Sequence, residues 1–138
     1  MEIDLALLAD AATVDAAGKL NILGIFDRVT ANQLPAQHGR ISLVLRFSAT
    51  VQDAGEHRLR ITLSAPDGHE LLSLDGEMQL GTGMGAPGAR VRVPHVINLD
   101  GLILETSGMY TFDVRVDGEH HLAIPLTVVG PVGGGAQA

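Results

Sequence analysis

Several residue types are absent or scarce in this chain, and each absence argues against a class of function. The 138 residues include no cysteine, which excludes disulfides, thiolate nucleophiles and thiolate metal sites. There is no tryptophan, one tyrosine and only three phenylalanines. Recognition of nucleic-acid bases or sugar rings by stacking needs exposed aromatic faces, so we do not expect it here.

Positive charge and long apolar runs are scarce as well. The net charge is −7, and Lys19 is the only lysine among nine basic residues. Clustered basic residues supply most of the affinity for nucleic acid and for anionic membranes, so neither is an expected partner. No apolar run approaches the roughly 20 residues that span a bilayer. The acidic start, residues 1–4, does not resemble a signal peptide, and we expect a cytoplasmic protein.

What the chain does contain is strict alternation of apolar and polar residues. After the turn signal at Ser107-Gly108, the residues Tyr110, Phe112, Val114 and Val116 share one face. Similar segments recur at regular spacing, without an amphipathic helix. About eight such segments predict an all-β fold, an antiparallel β-sandwich, with a closed barrel as the alternative. We expect one domain over residues 1–129 and a flexible glycine-rich tail over residues 130–138.

The turns predict how two hairpins are aligned. A four-residue turn over residues 66–69 places Leu63 and Leu72 on one face. Asp117-Gly118 suggests a two-residue turn, but that turn would mix the faces of the last two strands. Pairing Val114 with Leu122 requires an odd loop, so we predict a three-residue loop or a bulge there.

Glycine and proline suggest the roles of two further segments. Residues 19–29 are apolar on both faces, which is typical of a central strand, and Gly24 is a candidate bulge. Pro94 lacks a backbone N–H and should confine its strand to a sheet edge or a bulge. Residues 31–40 and 81–88 are predicted loops.

No motif in the chain carries recognisable chemistry. Gly83-x-Gly85-x-x-Gly88 has the spacing of a dinucleotide fingerprint, but a strand follows it where a helix is required. The adjacent His120 and His121 point to opposite faces of a strand, and no histidine pair has metal-chelating spacing. We therefore expect no metal, no cofactor and no enzymatic activity. Five carboxylates remain that the fold could bring together: Asp10, Asp15, Asp27, Asp100 and Glu105.

Three arginines form the sharpest local hypothesis. Arg46, Arg58 and Arg60 are the outward residues of two consecutive strands, and a loop over residues 51–55 would place Arg46 opposite Arg60. Like charges at opposed positions cost stability. Either nearby acids offset them, or this face binds an anion or an acidic protein surface.

Several segments of the chain resemble those of a family of small bacterial proteins that is known only as a domain of unknown function. The resemblance covers about residues 3–129, and its most specific run is Leu20–Phe26, Leu-Asn-Ile-Leu-Gly-Ile-Phe. It implies a compact β-sandwich and no assigned catalytic residues. Gly108-x-Tyr110 also resembles the corner strand of immunoglobulin-like sandwiches, where the tyrosine hydroxyl binds the backbone. Phe112 stands where secreted domains of that kind carry a disulfide cysteine.

We expect a non-enzymatic module that serves protein–protein interaction or structural assembly. Unpaired edge strands pair readily with other chains, and a homo-oligomer is the commonest result. The candidate interaction face is Arg46, Arg58 and Arg60, and the predicted loops at residues 31–40 and 81–88 are alternatives. One alternative function is a sandwich that binds a small ligand or a carbohydrate. Another is a hydrolase or metal enzyme, if His38, His95 and Asp27 converge.

Overall fold

The structure, a computed structural model, describes residues 1–81 and 89–131 and is built from strands. The first sheet contains β1 (Glu2–Val14), β2 (Leu20–Phe26), β5 (Arg40–Ala49) and β8 (Val91–Asp100). The second contains β3 (Arg28–Thr30), β6 (Gly55–Ser64), β7 (Glu70–Leu80), β10 (Gly108–Val116) and β11 (Glu119–Val129). A small ribbon joins β4 (Ala36–Gln37) to β9 (Ile103–Leu104), and a 3-10 turn covers Val51–Asp53.

The two sheets are open and pack face to face. The four-stranded sheet, here sheet A, has the order β2-β1-β5-β8, and the five-stranded sheet, here sheet B, has the order β3-β11-β10-β6-β7. Apart from the short parallel pair β3–β11, all pairs are antiparallel. The predicted antiparallel β-sandwich is confirmed. Among the described residues, none of the helices is long and apolar enough to cross a membrane.

The core lies between the inner faces of the two sheets. Alternate residues of β5, including Leu43, Leu45 and Phe47, are fully buried in one cluster with Phe112 and Val114 of β10. The core is mostly aliphatic, as the low aromatic content requires. Burial of this apolar surface is the main force that holds the two sheets together.

The predicted hairpin alignments are confirmed. Leu63 pairs with Leu72, and Val114 pairs with Leu122. The register of β10 and β11 shifts just after Val114, which is the irregularity that the face argument required. The Tyr110 hydroxyl donates a hydrogen bond of 2.7 Å to the Thr106 carbonyl oxygen, so the predicted tie of the tyrosine to the backbone is also present.

The expected position of one strand is wrong. Residues 20–26 form β2, an edge strand of sheet A and not a central strand. The prediction failed because apolar residues on both faces usually mean burial on both faces, and here one face is left open. Pro94 does lie on an edge strand, β8. Most of the predicted loop 81–88 and of the predicted tail 130–138 lies outside the described residues.

Candidate functional site

The free edge of β2 is an apolar surface that remains open after the sheets have formed. β2 pairs with β1 on one side only, and no strand among the described residues pairs with its other side. Its sequence, Leu-Asn-Ile-Leu-Gly-Ile-Phe, contains no charged residue and no proline. An edge strand exposes a row of backbone N–H and C=O groups that can accept another strand.

Two large side chains project beside this edge. Leu23 is 71% exposed and Ile25 is 65% exposed, the two highest values among the exposed large apolar residues of the described chain. Their cross-strand neighbours on β1 are the small residues Ala11 and Ala9. Leu23 and Ile25 therefore project beyond the short side chains of these alanines, which shield little of them from water.

The outer face of sheet A has a buried apolar residue of its own. Val44 of β5 is fully buried although it lies on the outer face, between Leu7 of β1 and Val96 of β8. It does not belong to the core cluster, so its burial comes from its own side of the sheet.

We call β2, with its exposed side chains Leu23 and Ile25, the open edge.

Ion pairs border the outer face of sheet A at both ends. At one end Asp4 accepts hydrogen bonds from Arg46 Nε at 2.8 Å and from Arg92 Nε at 3.0 Å. The Arg46 guanidinium, and then that of Arg92, hold the pKa of Asp4 below its usual range. At the other end Arg40 binds both carboxylate oxygens of Asp100, at 2.6 and 3.0 Å.

Gly24 adapts β2 to its neighbour. Its φ of +71° lies in the left-handed region, which side chains rarely adopt. A methyl group at this position would also overlap the Asp10 carboxylate. The left-handed backbone therefore favours glycine in the middle of the open edge, and Asp10 would have to move for any larger residue there.

The predicted arginine face does not exist as one surface. β5 pairs with β1 and β8, so Arg46 lies on the outer face of sheet A, while Arg58 and Arg60 lie on sheet B. The prediction that Arg46 opposes Arg60 is wrong, because consecutive strands were assumed to be neighbours in one sheet. Arg60 instead lies opposite Arg115 of β10.

Acids offset the arginines of sheet B. Glu77 and Asp75 of β7 stand opposite Arg58 and Arg60. The closest approach of Arg60 Nε to the Asp75 carboxylate is 3.5 Å. Mixed charge of this kind is typical of a solvated surface.

The hypothetical catalytic trio does not converge. His95 is on β8 and Asp27 follows β2, which are the opposite edges of sheet A. Three strand spacings separate those edges, or about 14 Å. His38 lies against Phe26, with ring centroids 5.8 Å apart. No group of three potential metal ligands occurs within residues 1–81 and 89–131.

His95 lies at a separate, small cleft between the sheets. Its ring stands nearly perpendicular to that of Phe47, with centroids 6.5 Å apart, and burial lowers the pKa of His95. The cleft is lined mainly by core side chains such as Ile61, Leu74 and Ile97. This surrounding fits a packed neutral histidine.

Sequence reasoning missed Leu23 and Ile25 as surface residues. The available signal was that β2 is apolar at every position except Asn21 and Gly24. That pattern fits a central strand and an open edge equally well, because the sequence does not state how many neighbours a strand has.

The chain belongs to a class of small β-sandwich proteins whose role is not established. It matches a family of unknown function, DUF6941, over residues 4–129, and is a member of that family. This confirms the resemblance to a family of unknown function. A search of the curated proteins finds no match.

A comparison of solved structures shows a likeness of fold alone. The chain resembles part of the Pseudomonas fluorescens alkylpurine DNA glycosylase AlkC bound to DNA containing an abasic site analog, with a TM-score of 0.50 and 10% sequence identity. The match covers 93% of this chain and 30% of the glycosylase chain. The chain thus spans less than a third of the length of that protein.

Proposed function

We propose that this protein is a non-enzymatic binding module that docks an extended protein segment along its open edge. The observation that carries the proposal is an uncharged strand with one unpaired edge, on which Leu23 and Ile25 are exposed at 71% and 65%. Backbone hydrogen bonds along the edge would supply affinity, and alternate side chains of the added segment would contact the two apolar residues.

The distribution of exposed apolar residues supports this placement. Five large apolar side chains are exposed in the described chain, and the two most exposed, Leu23 and Ile25, lie on the same face of β2. Val14 is on the same hairpin but pairs with Leu20, so it lies on the other face. The other two, Ile103 and Met109, lie on separate strands. Exposed apolar groups that cluster beside free backbone groups are typical of interaction sites.

The burial of the aromatic rings weakens the ligand-binding alternative. Tyr110, Phe47 and Phe112 are at most 1% exposed, and Phe26 is half-buried. No ring is left as a flat platform on which a sugar could stack. The open edge is therefore the stronger candidate.

Selection from a phage-displayed library of random peptides, about ten residues long, tests the docking function without assuming a partner. Wild-type protein is the bait, and the Leu23→Glu/Ile25→Glu variant is the counter-selection bait. We expect enriched peptides with alternating apolar residues that bind the wild type and lose at least about tenfold in affinity for the variant.

Matched controls distinguish docking at the edge of β2 from non-specific binding to exposed apolar residues. Ile103→Glu and Met109→Glu each remove an exposed apolar group elsewhere, at 53% and 56% exposure. Both control variants should bind the selected peptides as the wild type does. The proposal would be overturned if the selected peptides bound the Leu23→Glu/Ile25→Glu variant as tightly as the wild type. It would also be overturned if they lost as much affinity for the two control variants.

A further inference from the structure

We infer that the open edge pairs with the same edge of a second copy of this chain, antiparallel and centred on Leu23. This inference rests on the proposed docking function, and it identifies the docked segment as β2 of a second copy. It would join two copies of sheet A into one continuous eight-stranded sheet, since each copy contributes four strands.

Symmetry restricts the registers that are possible. Two identical strands pair antiparallel about a two-fold axis perpendicular to the sheet, so one residue must lie opposite its own copy. If that residue is Leu23, Leu20 lies opposite Phe26 and all seven residues of β2 find a partner. Centring on Ile22 or Gly24 leaves strand residues unpaired and brings a charged residue opposite β2.

The charges at the two ends of β2 favour the register centred on Leu23. Lys19 precedes the strand and Asp27 follows it, four positions on either side of Leu23. In this register Lys19 of one copy and Asp27 of the other flank the same end of the paired strands, and the two-fold axis repeats the arrangement at the far end. The single lysine of an acidic chain is thus placed where a second copy offers a carboxylate.

The side chains of β2 also complement one another across this axis. On the outer face Leu23 meets Leu23, and Asn21 meets Ile25 of the second copy. On the inner face Ile22 lies opposite Gly24, which has no side chain to oppose it. Apart from Ile25, which faces Asn21, the large residues of one copy therefore face small or apolar residues of the other, as cross-strand pairs in a sheet prefer.

The other edge strands of the two sheets carry features that oppose such pairing. β7 carries Glu70, Asp75 and Glu77, and β3 is only three residues long. β8 carries Arg92 and Pro94. Charge, proline and shortness are the usual devices that prevent edge-to-edge association, and β2 has none of them.

Light scattering coupled to size exclusion, over protein concentrations from about 1 µM to 1 mM, measures the association. We expect the mass to rise from 14.4 kDa toward twice that value. Leu23→Glu opposes two carboxylates at the axis and should weaken the dimer by about 100-fold. Ile103→Glu is the matched control and should leave the mass curve unchanged.

A charge swap tests the register. Asp27→Lys places like charges at both ends and should weaken the dimer by about tenfold. The double variant Lys19→Asp/Asp27→Lys restores opposite charges and should recover association. Recovery is specific to a register in which these two residues face each other, and failure to recover would overturn it.

Engineered cysteines give a second readout of the register, and the native chain contributes no background because it has no cysteine. Leu23→Cys should form a disulfide dimer on mild oxidation, because directly opposed residues have Cβ atoms about 4.5–5.5 Å apart. Asn21→Cys alone should cross-link poorly, since its own copy lies about 13 Å away along the strand. Mixing Asn21→Cys with Ile25→Cys should restore cross-linking.

The outcomes separate self-pairing from the docking function. A monomer at every concentration that still binds selected peptides through β2 would overturn self-pairing and leave docking intact. A dimer that survives Leu23→Glu and does not cross-link through Leu23→Cys would also overturn self-pairing. A dimer that is lost in Leu23→Glu, and that is weakened by Asp27→Lys but recovered in Lys19→Asp/Asp27→Lys, supports both.

Discussion

The two edges of sheet A differ sharply, although they flank the same pair of central strands. β8 has Arg92 held by Asp4, a proline at residue 94, and no exposed large apolar side chain. β2 has no charge and no proline, and two of its side chains are more than half exposed. One edge is closed to further strands and the other is open.

This difference indicates that the open edge is not a requirement of the fold. β8 shows that a strand can complete the core through Val93, Ile97 and Leu99 while its edge stays protected. The core needs only one face of an edge strand. The exposed apolar residues on the other face of β2 therefore call for an explanation outside folding, and docking supplies one.

The largest effect on stability is expected in the hydrophobic core, on which both edge strands of sheet A pack. Phe47→Ala removes a fully buried ring from β5, between the inner faces of the two sheets. We expect a loss of about 3–5 kcal/mol in the free energy of unfolding, measured by urea denaturation. Phe47→Leu should cost clearly less. A loss below about 1 kcal/mol for the alanine variant would mean that this core is not shared as described.

A smaller loss is expected at the glycine that shapes the open edge. Gly24→Ala places a side chain in the left-handed region and against the Asp10 carboxylate, and should cost about 1–2 kcal/mol. Gly76→Ala on β7 is the control, because a methyl group there meets nothing within 4 Å. Equal stability of the two variants in denaturation would refute the special role of Gly24.

The closed edge should show a pH-dependent contribution that the open edge lacks. Asp4→Asn removes the carboxylate that joins Arg46 and Arg92, and we expect a loss of about 0.5–1 kcal/mol near neutral pH. Because the folded-state pKa of Asp4 is lowered, this stabilisation is present above about pH 4 and disappears as the pH falls through the lowered value.

Denaturation curves of the wild type and Asp4→Asn should therefore converge at acid pH. The control is Glu56→Gln on β6, whose carboxylate makes no ion pair with a described residue. A difference for Asp4→Asn that stays constant from neutral to acid pH would exclude a charge-based role.

The smallest effect on stability is expected at the open edge itself. Leu23→Glu, measured at a concentration where the chain is monomeric, should change the free energy of unfolding by no more than about 0.5 kcal/mol. Leu23 is 71% exposed, so little apolar burial is lost. A large loss in the monomer would show that Leu23 serves the fold, and the contrast between the two edges would disappear.

Local pattern predicted much of the fold. Alternation located the strands, and the requirement that apolar residues share a face predicted that Val114 pairs with Leu122 despite a misleading Asp-Gly signal. These predictions succeeded because each depends on residues close together in the chain. The pairing of Arg46 with Arg60 failed because β5 and β6, although consecutive, belong to different sheets.

The sequence by itself determined the class of fold, the alignment of its hairpins and the absence of cysteine chemistry. These follow from side-chain period, turn residues and composition, which are local properties. Only the tertiary structure decided that β2 is an edge and that Leu23 and Ile25 face water. Whether a strand has one neighbour or two depends on segments far away in the chain, so an apolar strand reveals its exposed face only after the sheets have assembled.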